Sequence, residues 1–223
     1  SNVRVGVNAG NSIQSGGNYN VVLGDEAGTA LTTGDNNVAI GFEALKTEDA
    51  NGDNVAVGYQ SLKTLNAGAD AFNTAVGYLS GTSVTTGLYN TLIGAQTGDA
   101  LTDADFNVVV GRNALTSDTL GSKSTAIGYG TLETQNFTTA TDSFNTAVGF
   151  EAGLAVTTGV QNTLIGGLAG DALTTGGTNT AVGYESLSSE QAGTKNTALG
   201  YQALKTLSGA GANADNTAVG NQS

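Results

Sequence analysis

A short apolar run returns along the whole chain, each time led by an amide and closed by glycine. The pattern Asn-x-x-(Val/Ile/Leu)-Gly begins at residues 2, 20, 37, 54, 73, 90, 107, 124, 145, 162, 179, 196 and 216, and only Ser124 replaces the leading Asn. The intervals are 18, 17, 17, 19, 17, 17, 17, 21, 17, 17, 17 and 20 residues, so after the first step a 17-residue unit lengthens at every fourth one. A second marker sits four residues beyond each Gly: it is Gly in the first two units of a block and Leu in the last two, as in Gly81, Gly98, Leu115 and Leu132. The two markers divide one repeat domain, 1–223, into blocks 2–72, 73–144 and 145–215, with a partial repeat at 216–223. A fixed internal period of this kind is the signature of a repeat architecture.

The five-residue segment is β-branched at its second and usually its fourth place, and it is too short and too glycine-bounded for a helix. It predicts a strand. Alternation places the second and fourth side chains, such as Val38 and Ile40, on one face and the first and third on the other. The fourth place is Val, Ile or Leu in every copy, which predicts that this face points to a core. The third is Ala, Val or Leu except at Arg4, so the opposite face is expected to be covered as well. The rest of each unit holds a corner, a second short extended piece and a loop often reading Thr-Thr-Gly (Thr32 to Gly34, Thr85 to Gly87). The expected fold is therefore all-β, a parallel β-solenoid of about 12 coils of 17–21 residues grouped in blocks of four. At about 4.8 Å per stacked strand such a rod is on the order of 60 Å long.

The recurring residues take structural roles in this reading. Asn20, Asn37, Asn54, Asn73, Asn90, Asn107, Asn145, Asn162, Asn179, Asn196 and Asn216 are expected to form a buried ladder, each amide donating to the carbonyl of the next. The glycines that end the strands, Gly24, Gly41, Gly58, Gly77, Gly94, Gly111, Gly128, Gly149, Gly166, Gly183, Gly200 and Gly220, are expected at corners needing positive φ or close backbone approach.

Composition narrows the chemistry. Pro, Cys, Met, Trp and His are absent and Gly numbers 34, so the interior must be built from Val, Ile, Leu and Ala. Without Cys or His there is no thiol nucleophile, imidazole base, disulfide or zinc site of the usual kind. A formal charge of −12 disfavours nucleic acid as a partner. No apolar run is long enough to insert in a membrane, and no signal peptide is visible. The chain opens and closes inside repeats, which is read as a segment of a longer protein.

The units NTAVGYESL (179–187) and NTALGYQAL (196–204) resemble the repeats of phage tail fibres and other surface fibres, and are similar to the head repeats of trimeric autotransporter adhesins. The resemblance covers 2–220. It implies a homotrimeric, left-handed parallel β-roll in an extracellular fibre, on a virion or a bacterial cell surface. The 17- to 21-residue unit is longer than the adhesin coil, and the phage and adhesin versions both stay open.

Candidate contacts follow from position. Tyr or Phe comes directly after the strand Gly at Phe42, Tyr59, Tyr78, Tyr129, Phe150, Tyr184 and Tyr201, where lined-up rings either stack on cell-surface sugars or pack at corners and between chains. The lengthened loops, Ala67 to Phe72, Asn136 to Phe144 and Ser208 to Asp215, are expected to protrude and are candidates for binding. Acids gather at Asp99, Asp103 and Asp105 and at Glu48, Asp49 and Asp53, with solvated surface charge favoured over calcium because the spacing fits no calcium loop. No cofactor is expected. The match of 182–187 to an acyltransferase hexapeptide is weak, because it occurs once per coil and lacks the catalytic His.

These readings favour a non-enzymatic, stiff attachment segment of an extracellular fibre that associates with itself and presents a host or surface receptor-binding function. An ice-binding or surface-binding solenoid is the alternative. Eight of thirteen strands carry Thr at their second place, but the expected inward orientation argues against it. A carboxylate-only polysaccharide lyase is the third class.

Overall fold

In the computed structural model, which describes residues 1–207 and 215–223, each asparagine-led segment is a strand. They are β1 (Val3–Val5), β2 (Val21–Leu23), β3 (Val38–Ile40), β4 (Val55–Val57), β5 (Thr74–Val76), β6 (Thr91–Ile93), β7 (Val108–Val110), β9 (Thr125–Ile127), β11 (Thr146–Val148), β12 (Thr163–Ile165), β13 (Thr180–Val182), β14 (Thr197–Leu199) and β15 (Thr217–Val219). Two short strands in the loops, β8 (Gly121–Ser122) and β10 (Thr141–Asp142), pair with each other. The described residues contain no helix. The chain is a parallel β-solenoid of about 12 coils.

Contacts divide it into two units, Ser1–Asn107 and Val108–Ser223. In the first, β1 to β6 pair in sequence order, always parallel and with repeat positions aligned, as in Val38↔Val55 and Val55↔Thr74. In the second, β7, β9 and β11 to β15 do the same. Register holds because a slip would exchange the two faces of a strand.

The faces are the reverse of the sequence expectation. Third-place residues such as Val22, Ala39, Ala75 and Leu92 are fully buried, whereas fourth-place Leu23 and Ile93 are 42% and 39% exposed. The inside is narrow, and two columns from the turns already fill it. One is the marker column (Leu45, Leu62, Leu115, Leu132, Leu187), the other lies eleven residues after each Asn (Leu31, Leu65, Leu101, Leu173). Only a small third-place side chain fits opposite them. The bulkier second and fourth places are left outside.

Where the marker is Gly, the third place compensates. A Cβ on Gly81 or Gly98 would lie 2.7 or 3.0 Å from a methyl of Leu92, and Gly153 and Gly170 stand in the same relation to Leu164 at 2.8 Å. One large residue in the second coil thus fills the space left by two glycines, and the next two coils return to Leu markers. Those leucines sit at positive φ, 48° at Leu45 and 46° at Leu62. The strain is about 1–2 kcal/mol each, comparable to or less than the roughly 1.5–3 kcal/mol from burying a leucine side chain.

The strand-leading asparagines from Asn20 to Asn196 are buried and Asn216 is half-buried; they are linked coil to coil, but not amide to amide alone. Asn37 Oδ1 accepts from the backbone N–H of Asn54 at 3.1 Å and from its Nδ2 at 3.3 Å. Asn73, Asn90, Asn107, Asn162, Asn179, Asn196 and Asn216 repeat the backbone bond to the preceding Asn. The side-chain amide usually donates to the carbonyl fourteen residues later, as from Asn20 to Gly34 at 2.8 Å and from Asn162 to Gly176 at 2.9 Å. Each Asn therefore closes its own coil and starts the next. At Ser124, which is too short for both tasks, Gln135 supplies the missing groups: its Nε2 donates to Ser124 Oγ at 2.9 Å and its Oε1 accepts from Asn145 Nδ2 at 2.8 Å.

At the strand end Gly149 combines φ of 138° with close approach, since a Cβ there would meet the carbonyl oxygen of Gly166 at 2.5 Å. The other strand-ending glycines share φ values of 128–144°. This conformation is essentially closed to side chains.

Candidate functional site

With the interior filled, the exposed apolar surface takes a defined place. Every large hydrophobic side chain exposed among the described residues lies at one of four positions of the unit: the second or fourth strand place, the residue before the Asn, or the residue after the Gly. The second and fourth places share the outward face of the strand, and the residues before the Asn and after the Gly flank it from the turns, the former at positive φ (60° at Tyr19, 52° at Phe72) and the latter beyond the corner glycine. In each repeat a strip of Thr/Val and Val/Ile/Leu runs between two border positions, of which one, both or neither carries a ring.

The border after the Gly contains the rings singled out in the sequence. Phe42, Tyr59 and Tyr78 stack in succession at 5.4 and 5.3 Å between centroids, Tyr129 stacks on Phe150 at 5.4 Å, and Tyr184 on Tyr201 at 5.8 Å. Tyr59 has a ring on each face, so a sugar stacking on this column finds free faces only where a stack ends. The other border, before the Asn, was missed by the sequence reading. Phe72, Tyr89 and Phe106 stack there at 5.5 and 5.0 Å, with Tyr19 and Phe144 in the same column. The signal was the same period read one residue ahead of the Asn.

The lengthened loops are tied down more than the sequence reading expected. Asp70 accepts from the N–H of Gly52 at 2.9 Å, and Phe137 is 6% exposed. Residues 208–214 of the third lengthened loop lie outside the described residues. Three fully buried acids, Glu48, Asp118 and Glu190, stand eleven residues after the Asn in the coil preceding each lengthened one. Asp118 Oδ1 accepts from the N–H groups of Gly121 and Phe137, both at 3.0 Å, and Oδ2 accepts from Gln135 at 2.6 Å. Glu190 Oε1 accepts from the N–H groups of Gln191, Ala192 and Gly193 at 3.0, 3.1 and 2.7 Å. Glu48 accepts from Asp49 and Asn51 at 3.1 and 3.3 Å, and from Ala67 at 3.4 Å. In ordinary coils such loop N–H groups meet carbonyls of the next coil, as Thr85 and Gly87 meet Thr102. Beside Glu48 and Asp118 a longer neighbour puts those carbonyls out of register, and the carboxylate replaces them. Glu48 is thus an interior acceptor and not a surface charge. Burial pushes the carboxyls of Glu48 and Asp118 up from their ordinary values, against the pull of their donors.

The other acids are exposed or half-buried, and Asp99 and Asp171 each keep one buried oxygen without a partner. Asp103 accepts from Thr86 Oγ1 at 2.6 Å, Asp105 from the N–H of Leu88 at 2.7 Å and Asp53 from Asn36 Nδ2 at 3.2 Å. Glu43 meets Lys46 and Lys63 at 2.7 and 2.6 Å, and these ammonium groups hold its carboxyl down at about 2. Glu185 pairs with Lys205 in the same way. Among the described residues no group of three acids could hold a metal ion, and no helix is long and apolar enough to cross a membrane.

Comparison with protein-family models, with curated proteins and with solved structures finds no match. The functional reading therefore rests on the strip.

Proposed function

We propose that this chain is a structural and attachment segment of a homotrimeric extracellular fibre, of the phage tail-fibre or cell-surface adhesin kind. In it the apolar strip of each copy is buried against its neighbours. The observation that supports the reading is the confinement, within each unit, of every exposed large hydrophobic among the described residues to the two outward strand places and the two residues that flank them. Scattered exposed apolar residues are ordinary, but apolar strand places repeated coil after coil and flanked by runs of stacked rings favour burial, at about 25 cal/mol per Å² removed from water. The interior linked by Asn makes each unit a stiff spacer that presents a receptor-binding element, and the reading involves no enzymatic step and no cofactor. The charge of −12 sets the segment against nucleic acid as a partner. Light scattering on the full chain is expected to give three times the 22.0 kDa chain mass. A monomer at micromolar concentration overturns the proposal.

A second reading gains support from the corrected orientation. Thr125, Thr146, Thr163, Thr180, Thr197 and Thr217 stand on the outward face, aligned strand to strand. A flat hydroxyl and methyl array of this kind is suited to ice or another ordered surface, provided the face is free. Thermal hysteresis together with a monomeric mass would select this reading.

A further inference from the structure

The carbonyl fourteen residues after a strand-leading Asn closes that coil by accepting from the Asn side-chain amide. Where this bond forms in other coils the accepting residue is Gly34, Gly87, Ala104, Gly159, Gly176 or Gly193, none of which brings a reactive side chain. Beside Asn37 the place is taken by Asn51, whose carbonyl accepts from Asn37 Nδ2 at 3.1 Å. The next residue is Gly52, and a Cβ there would lie 2.3 Å from the carbonyl oxygen of Asp35 in the preceding coil, so the packing requires glycine. No other Asn of the chain is followed by Gly.

An Asn-Gly pair carries latent chemistry, because the backbone nitrogen of the glycine can add to the side-chain amide carbon of the asparagine with no Cβ to hinder it. Two carboxylates touch the groups involved. The N–H of Gly52 donates to Asp70 Oδ1 at 2.9 Å, within the reach expected of a general base. Asn51 Nδ2 donates to Oε1 of the fully buried Glu48 at 3.3 Å, which fixes the orientation of the carboxamide. Ala50 and Asp70 are exposed, so solvent borders the pair.

We infer that Asn51 is a self-modification site, converted in the folded chain to a cyclic imide with Gly52 and then by water to aspartate and isoaspartate. Asp70 takes the N–H proton of Gly52 as the nitrogen adds to Asn51 Cγ. The Cγ–Nδ2 bond then breaks, and the nitrogen leaves as ammonia with the proton that Asp70 returns, directly or through water. A water molecule next adds to either imide carbonyl and breaks its bond to the Gly52 nitrogen. Overall, amide and water become acid and ammonia.

The product works against the coil that holds it. Either form replaces the amide donor beside Glu48 with a second carboxylate. Isoaspartate also lengthens the backbone by one carbon ahead of Gly52 and turns the carbonyl that closes the coil of Asn37 into a free acid. The site therefore acts as a slow timer on the first lengthened joint, between the coils begun by Asn37 and Asn54.

The test is prolonged incubation of the full chain in neutral buffer, with peptide mass mapping to locate amide-to-acid conversion and isoaspartate. Conversion is expected at Asn51 ahead of every other Asn, with a fall in thermal midpoint that tracks it. Asp70→Asn keeps an acceptor at an exposed place but removes the base, and should slow conversion by about tenfold or more, a positioned base being worth roughly 10²–10⁴-fold. Asn51→Ala, which puts at this place the residue type of Ala104, should hold its midpoint throughout. The pH profile of the parent gives a second readout that needs no variant: with Asp70 as base the rate is level around neutrality, whereas attack assisted by hydroxide alone rises in proportion to it. A parent chain whose Asn51 stays intact, an Asp70→Asn chain that converts as fast as the parent, or a rate proportional to hydroxide overturns the assignment.

Discussion

The backbone N–H of Phe137 donates to the carboxylate of Asp118 at 3.0 Å, from a loop nineteen residues further along the chain. This bond marks where the regular ladder stops and a longer coil is accommodated. Because Asp118 is fully buried, removing its oxygens takes away the carboxylate acceptor of the Gly121 and Phe137 N–H groups and one of the two acceptors of the Gln135 amide, which keeps Ser124 Oγ. Asp118→Ala is expected to cost about 3 kcal/mol or more, at roughly 1–3 kcal/mol per abandoned buried group. Asp118→Asn, which keeps an acceptor, should cost less, and urea denaturation of the three proteins ranks them.

The strand-ending glycine gives a second, larger effect. Gly149→Val places a Cβ 2.5 Å from the carbonyl of Gly166 at a φ closed to side chains, and should cost about 3 kcal/mol or more. Asp142→Asn disturbs only an exposed pair with Lys123 and should stay within about 1 kcal/mol. Equal thermal midpoints for the two variants would remove the corner role of Gly149.

Core exchange is tested at Leu92. Leu92→Ala opens a void beside Gly81 and Gly98 and should cost about 2–5 kcal/mol. Adding Gly98→Ala should recover part of the packing, since its new methyl points at the vacated site, although φ of 53° limits the gain. A double variant no more stable than the single one would count against this packing account.

The pH dependence has a predictable sign. Glu43 sits at about 2, below its ordinary 4.5, so its stabilisation is complete above 4.5 and is lost as pH falls toward 2. Glu43→Gln should therefore flatten the acid side of the midpoint-versus-pH curve, and molar salt should shrink the difference between variant and parent. Glu48 and Asp118 act oppositely: their carboxyls are raised, so ionising them opposes folding and acid relieves that cost.

The period carried most of the fold. Asn-led strands, coil count and parallel stacking all follow from where Asn37, Asn54 and Asn73 recur. The face assignment did not follow, because Ala39 flanked by Val38 and Ile40 is apolar on both sides, and alternation cannot say which side is inside. What decides it is the volume supplied from across the coil by Leu31 and Leu45, a contact between distant columns. The acid at Glu48 was misread for a related reason. In a stretch rich in Glu and Asp nothing local distinguishes the one that occupies a leucine's column, whereas alignment with Leu31 and Leu65 does. The border after the Gly was legible, and the one before the Asn needed only the same alignment carried one residue further.

The exchange between Leu92 and its two flanking glycines bears on how such a chain grows in evolution. Removing or inserting a single coil would set a glycine beneath a residue that does not fill its gap, or strand a buried acid without the long loop it serves. Duplicating a complete set of four keeps every neighbour intact. The heritable step for lengthening or shortening this molecule is therefore the block of about 71 residues, and relatives of different reach should differ by whole multiples of it.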